Sequence, residues 1–158
     1  MLAWLAMLGA DFLLNGALFA SMYQQGGPFF LAPGEAFRRI PLGYAAFLIL
    51  AIAIVEIADR LGVATFRGGI GLGLAIGGVL AAVWSLSLFS IATLDAVVAV
   101  EFAVIWLALL LVGSAVAAFG LGRPSLRSLA FGVAALDVLC AVGVIALQSF
   151  GLVQTVKP

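Results

Sequence analysis

The chain has 158 residues, 66% of them hydrophobic and 9% charged, with a formal net charge of zero and a mean hydropathy of +1.33. Soluble domains carry roughly a quarter charged residues, so a water-soluble fold is excluded, and nothing in the charge balance offers the basic face that nucleic acid requires. There is no histidine, which argues against the usual haem and zinc ligation, and the single cysteine, Cys140, cannot form an intrachain disulfide. The expectation is one all-α domain over residues 1–158: a polytopic helical bundle in the membrane, with no cofactor, no metal and membrane lipid as its surroundings.

In chain order, residues 2–23 are the first apolar segment, interrupted by Asp11 and Asn15. No Lys or Arg precedes it and no small-residue cleavage pattern follows, so it reads as a retained first helix rather than a cleaved signal peptide. Residues 28–40 read as an interfacial segment. Gly26-Gly27-Pro28 and Pro33-Gly34 break the chain, Phe29 and Phe30 suit the headgroup zone, and Phe37 and Ile40 flank Arg38 and Arg39 in a short surface turn. The second span is expected at 41–57, opening on Pro41, because proline fits a first helical turn. Glu56 precedes Arg60 by four residues, the spacing of a helical ion pair.

From Gly69 to Phe119 the only ionisable side chains are Asp95 and Glu101. That length suits two spans of roughly 20 residues each, and the polar break at residues 90–95 predicts a tight hairpin between spans at 69–92 and 96–119. Gly69, Gly73, Gly77, Ala81 and Ser85 recur every fourth residue, which puts five small side chains on one helix face where a neighbouring backbone can approach closely. Gly69, Gly71 and Gly73 resemble the start of a phosphate loop, but no strand precedes them. Residues 120–128 are a polar connection with Ser125 as the expected N-cap, and the fifth span covers 129–153. The count is five helices, with four as the rival. With the N-terminus inside, Arg60, Arg67, Arg123 and Arg127 fall within and Arg38, Arg39 and Lys157 without, in weak agreement with the positive-inside rule.

Chemistry is sought at the polar residues placed at membrane depth, since an acidic group at a helix centre costs about 2.5 to 3.5 kcal/mol to insert and normally faces protein or water. Asp11 and Asp137 both lie roughly 14 to 15 Å from the same membrane face if their helices run parallel at 1.5 Å per residue. Asn15, one turn from Asp11, can share its hydrogen bonds, and Asp137 lies on a face with Ala130, Ala134, Ala141 and Gln148. Asp11, Asn15, Glu101 and Asp137 are therefore the candidate proton- or ligand-binding residues, with Glu56 read as structural. Trp4, Tyr23 and Tyr44 read as belt residues at the interface, Trp84 and Trp106 as core packing, and Cys140 as a small apolar filler.

Three functional classes follow. One is a small proton- or cation-coupled carrier whose acidic pathway is Asp11, Asp137 and Glu101, working as a homo-oligomer. The second is a non-catalytic subunit of a membrane assembly whose glycine face docks partner membrane subunits. The third is a membrane enzyme using paired carboxylates as acid and base on a lipid-like substrate. A bacterial-type plasma membrane is the expected location.

Overall fold

The computed structural model describes residues 1–24, 31, 33–91 and 95–153. The predicted break at Gly26-Gly27-Pro28, the residues Phe29 and Phe30, the hairpin residues 92–94 and Lys157 lie outside them. The described residues are all-helical. Helix α1 (Leu2–Leu13) runs into a π turn (Leu14–Leu18) and then a short helix α2 (Ala20–Gln24), followed by α3 (Pro33–Arg60), α4 (Phe66–Ile91), α5 (Ala96–Leu121) and α6 (Arg127–Ser149). Helices α3 to α6 are each long and apolar enough to cross a membrane, while the N-terminal run Leu2–Leu18 is shorter. The chain is thus a helical membrane bundle of four to five spans.

Helix α5 is the axis on which α1, α3 and α4 all pack. Against α4 the small-residue face is used as its spacing predicts. A Cβ built on Gly69 would lie 2.6 Å from the Ser114 carbonyl oxygen, one on Gly73 2.8 Å from Leu111 Cα, and one on Gly77 3.0 Å from Leu110 Cβ. The partner residues descend as the glycines ascend, so α4 and α5 form an antiparallel hairpin whose backbones touch only because those Cβ atoms are missing. Ala81 is buried farther along the same face, and Ser85 is buried with no hydrogen-bond partner for its hydroxyl among the described residues. The hairpin's second arm is opened by Asp95, an N-cap whose carboxylate accepts from the Val97 N–H at 2.8 Å.

On the other side of α5, Gly113 makes room for Met7 of α1 and Ile54 of α3, both fully buried, and Phe47 of α3 meets Trp106 edge-on at 6.0 Å. Trp106 is thus a packing residue, whereas Trp84 is 53% exposed and points away from the bundle. The N-terminal end of α1 leans across α3, with Trp4 Nε1 donating to the Tyr44 carbonyl at 3.0 Å. Trp4 is therefore a helix-to-helix tie rather than a free belt residue.

Helix α3 corrects the expected start of the second span. It begins at Pro33, and Pro41 sits inside it rather than in its first turn. An interior proline removes one backbone hydrogen bond and costs about 3 kcal/mol. The preceding turns carry Glu35 near the helix N-terminus and an exposed Glu35–Arg39 ion pair, which recover only about 1 kcal/mol of this. At 28 residues the helix is about 42 Å long against a hydrocarbon core of about 30 Å, so its first turns, with Arg38 and Arg39 exposed, extend past the core. The surface turn expected at 35–40 is the outer end of this helix.

Helices α3 and α6 stop by one device. Gly62 and Gly151 both take a φ of +66°, and the next residue reaches back: Val63 N–H to the Ala58 carbonyl at 2.8 Å, Leu152 N–H to the Leu147 carbonyl at 3.0 Å. These are glycine C-caps of the Schellman type. The start of α6 lies two residues earlier than expected and its N-cap is Leu126, not Ser125. The Ser125 hydroxyl still accepts from the Arg127 N–H, at 3.4 Å.

Candidate functional site

The polar residues of the N-terminal segment form one connected chain. Asn15 Nδ2 donates to Asp11 Oδ1 at 2.6 Å, and Tyr23 Oη donates to Asn15 Oδ1 at 2.9 Å. The first link is the ordinary i to i+4 neighbour relation of a helix. The second spans eight residues, and in a regular helix, at about 100° per residue, Tyr23 would stand about 80° off the Asn15 face. The π turn at Leu14–Leu18 lies between them and absorbs one extra residue. Phe19, with a φ of −112° and a ψ of 17°, then turns the chain out of helical geometry before α2, and the two irregularities together bring Tyr23 onto Asn15. The wide turn falls at Asn15-Gly16, two residues of low helix propensity.

The same turn is gripped from outside. Gln148 Nε2 of α6 donates to the Gly16 carbonyl at 3.2 Å. Higher up the seam, the Asp137 carboxylate packs directly on the Gly9 backbone in the space a Cβ would occupy, and Leu13 lies against Gly143. Contacts rising together on both helices make α1 and α6 parallel, as five spans require, and place Asp137 level with Gly9. Val133, Cys140 and Val144 are buried on the same face of α6, so Asp137 belongs to the seam with α1. Its Oδ1 is buried and has no hydrogen-bond partner among the described residues.

The geometry separates the two aspartates around α1 while keeping them close in depth. Gly9, where Asp137 docks, and Asp11 are two residues apart, hence about 200° around the helix. Asp137 thus approaches one side of α1 and the Asp11–Asn15–Tyr23 chain occupies the other. Glu101 is half-buried on α5 and makes no hydrogen bond or ion pair among the described residues. Glu56 pairs with Arg60, Nη2 to Oε1 at 2.7 Å, with both side chains exposed. Among the described residues no three Asp, Glu or Cys side chains converge as a metal site would.

Two members of this site escape a reading of the chain as straight helices. Tyr23 is placed by the π turn, and its only advance signal is the Asn15-Gly16 pair. Gly9 is one glycine among 19, and its role appears only once α6 is laid beside α1. Comparison with protein-family models, with curated proteins and with solved structures finds no match to this chain.

Proposed function

We propose that the chain is a small proton- or cation-coupled carrier, working as a homo-oligomer in a bacterial-type plasma membrane. Asp11 is its principal ion-binding group and Asp137 a second. The observation that carries this reading is the Tyr23–Asn15–Asp11 hydrogen-bond chain, built on a π turn inside an otherwise apolar segment. Ionisable groups at membrane depth are expensive and line substrate and ion pathways or proton relays where they occur, and π turns recur at functional positions. Asn15 holds the Asp11 carboxylate through one oxygen, and Tyr23 fixes Asn15 in turn. No Lys or Arg lies within residues 2–24 or 128–149, so a charge on either aspartate is met by a proton or a bound cation.

The rival reading, a subunit whose glycine face docks a partner, is less favoured. Gly69, Gly73 and Gly77 are filled by α5 of the same chain. An acid–base pair acting on a lipid-like substrate is less favoured too, since the two aspartates address different sides of α1. The test is proton uptake into vesicles containing the purified protein and a trapped pH-sensitive dye, under an imposed membrane potential. The wild-type chain should acidify the lumen faster than protein-free vesicles, and Asp11→Asn should fall to the protein-free rate while remaining folded. Equal rates for wild type and Asp11→Asn would remove Asp11 from the pathway.

A further inference from the structure

Helix α6 is attached differently from the others. It packs along α1 and the π turn, and its other close contact is at its own start, where Leu126 and Leu129 rest on Gly120 at the end of α5. A five-residue connection, 122–126, joins the two helices there. Away from that end, two polar side chains of α6 meet the α1 backbone: the Asp137 carboxylate packs on Gly9 midway along, and the Gln148 amide donates to the Gly16 carbonyl at the far end. We infer that α6 is a swinging element pivoting at its N-terminal end, closed against α1 when Asp137 carries a proton and released when that proton leaves.

The physical argument concerns what the seat on Gly9 can hold. Asp137 Oδ1, the oxygen turned onto Gly9, is buried with no donor aimed at it among the described residues, while the residue as a whole is half-buried. A neutral acid fits such a place, whereas a full charge there needs water or a donor. No charge on the neighbouring elements compensates. The ionisable groups of α1, its π turn and α2 are Asp11, about 200° around the helix from the contact, and Tyr23, which is committed to Asn15. On α6 itself the neighbours are Cys140, one turn away, and Arg127, about 15 Å off along the axis. Ionisation is therefore met by opening the seam to water. That opening pulls Gln148 from the Gly16 carbonyl and frees the turn that positions Tyr23 on Asn15. The swing thereby links Asp137 to Asp11, two groups that do not touch.

This inference rests on the carrier reading but is tested apart from it. Spin labels at Val104→Cys on α5 and Ile145→Cys on α6, both outward-facing, are placed in the Cys140→Ser background of the full chain in lipid. Their separation is then measured by pulsed dipolar spectroscopy across a pH series. The expected result is a short distance at acid pH and a longer one at alkaline pH, with Asp137→Asn held at the short distance throughout. Gln148→Ala, which leaves Asp137 in place, should raise the long-distance population at every pH. A distance independent of pH, a wild-type response retained in Asp137→Asn, or populations unmoved by Gln148→Ala would each overturn the swing. If vesicle proton uptake persists beside such a result, the inference fails alone and the carrier reading stands.

Discussion

Tyr23 donates its hydroxyl hydrogen to Asn15 across eight residues, over the π turn at Leu14–Leu18 and the non-helical turn at Phe19. The break in regular helix therefore has a specific consequence: it adds Tyr23 to the Asp11–Asn15 pair that the helix already lines up.

Tyr23→Phe removes the hydroxyl and keeps the ring. Hydrogen bonds of this kind within membranes are worth about 0.6 to 2 kcal/mol, so thermal stability should fall only slightly. Proton uptake in vesicles should fall much further, because Asn15 loses the group that orients it. A variant with wild-type uptake would show that Asn15 holds Asp11 unaided.

Gly9→Ala adds a Cβ in the space that the Asp137 carboxylate occupies. Overpacking of this kind costs roughly 1 to 3 kcal/mol. The variant should melt lower and expose Cys140, buried in the same seam, to thiol reagents. Asp137→Ala in the same chain should restore much of the lost stability by emptying the seat. Stability unchanged in Gly9→Ala would mean that α1 and α6 do not meet there.

The α4–α5 contact yields a paired comparison. Gly77→Leu should prevent stable folding, since the site already lies against Leu107 and Leu110, whereas Gly71→Leu meets nothing within 4 Å and should fold normally. Size-exclusion profiles of the two proteins in detergent provide the readout. A monodisperse, stable Gly77→Leu would place that face against lipid.

Helix α5 runs 26 residues from its Asp95 cap to Leu121, about 39 Å at 1.5 Å per residue, enough to carry its ends to opposite membrane surfaces. Cysteines at Asp95 and Ser125, introduced one at a time without Cys140, should label from opposite sides of sealed vesicles. Labelling from one side only would remove the parallel placement of α1 and α6 across the bilayer.

Much of this architecture is legible from spacing alone. The every-fourth-residue glycine and small-residue face specifies a backbone contact, the polar break before Ala96 specifies a hairpin, and Glu56 with Arg60 specifies an ion pair. What escapes is of two kinds. Pro41 reads as a helix start because proline is disfavoured inside a helix, yet the helix runs through it from Pro33, with the Glu35–Arg39 pair in the turns before it offsetting only a small part of that cost. Asp11 and Asp137 read as one pair because depth follows from residue count. Their rotation about α1 depends instead on which face α6 selects, and that is decided at Gly9, where no periodicity marks it.

The central claim is that at least one of these membrane-depth carboxyls is uncharged at neutral pH or is met by a bound cation. Infrared titration of the carboxyl bands, on wild type, Asp11→Asn and Asp137→Asn in lipid, tests it most directly. The account predicts a protonated carboxyl band at neutral pH that is missing from the corresponding asparagine variant. Because the seam links the two aspartates through the turn that positions Asn15, Asp137→Asn, which holds that seam closed, should shift the Asp11 titration although the two carboxyls do not touch. Both aspartates ionised at neutral pH with no cation bound would contradict the account.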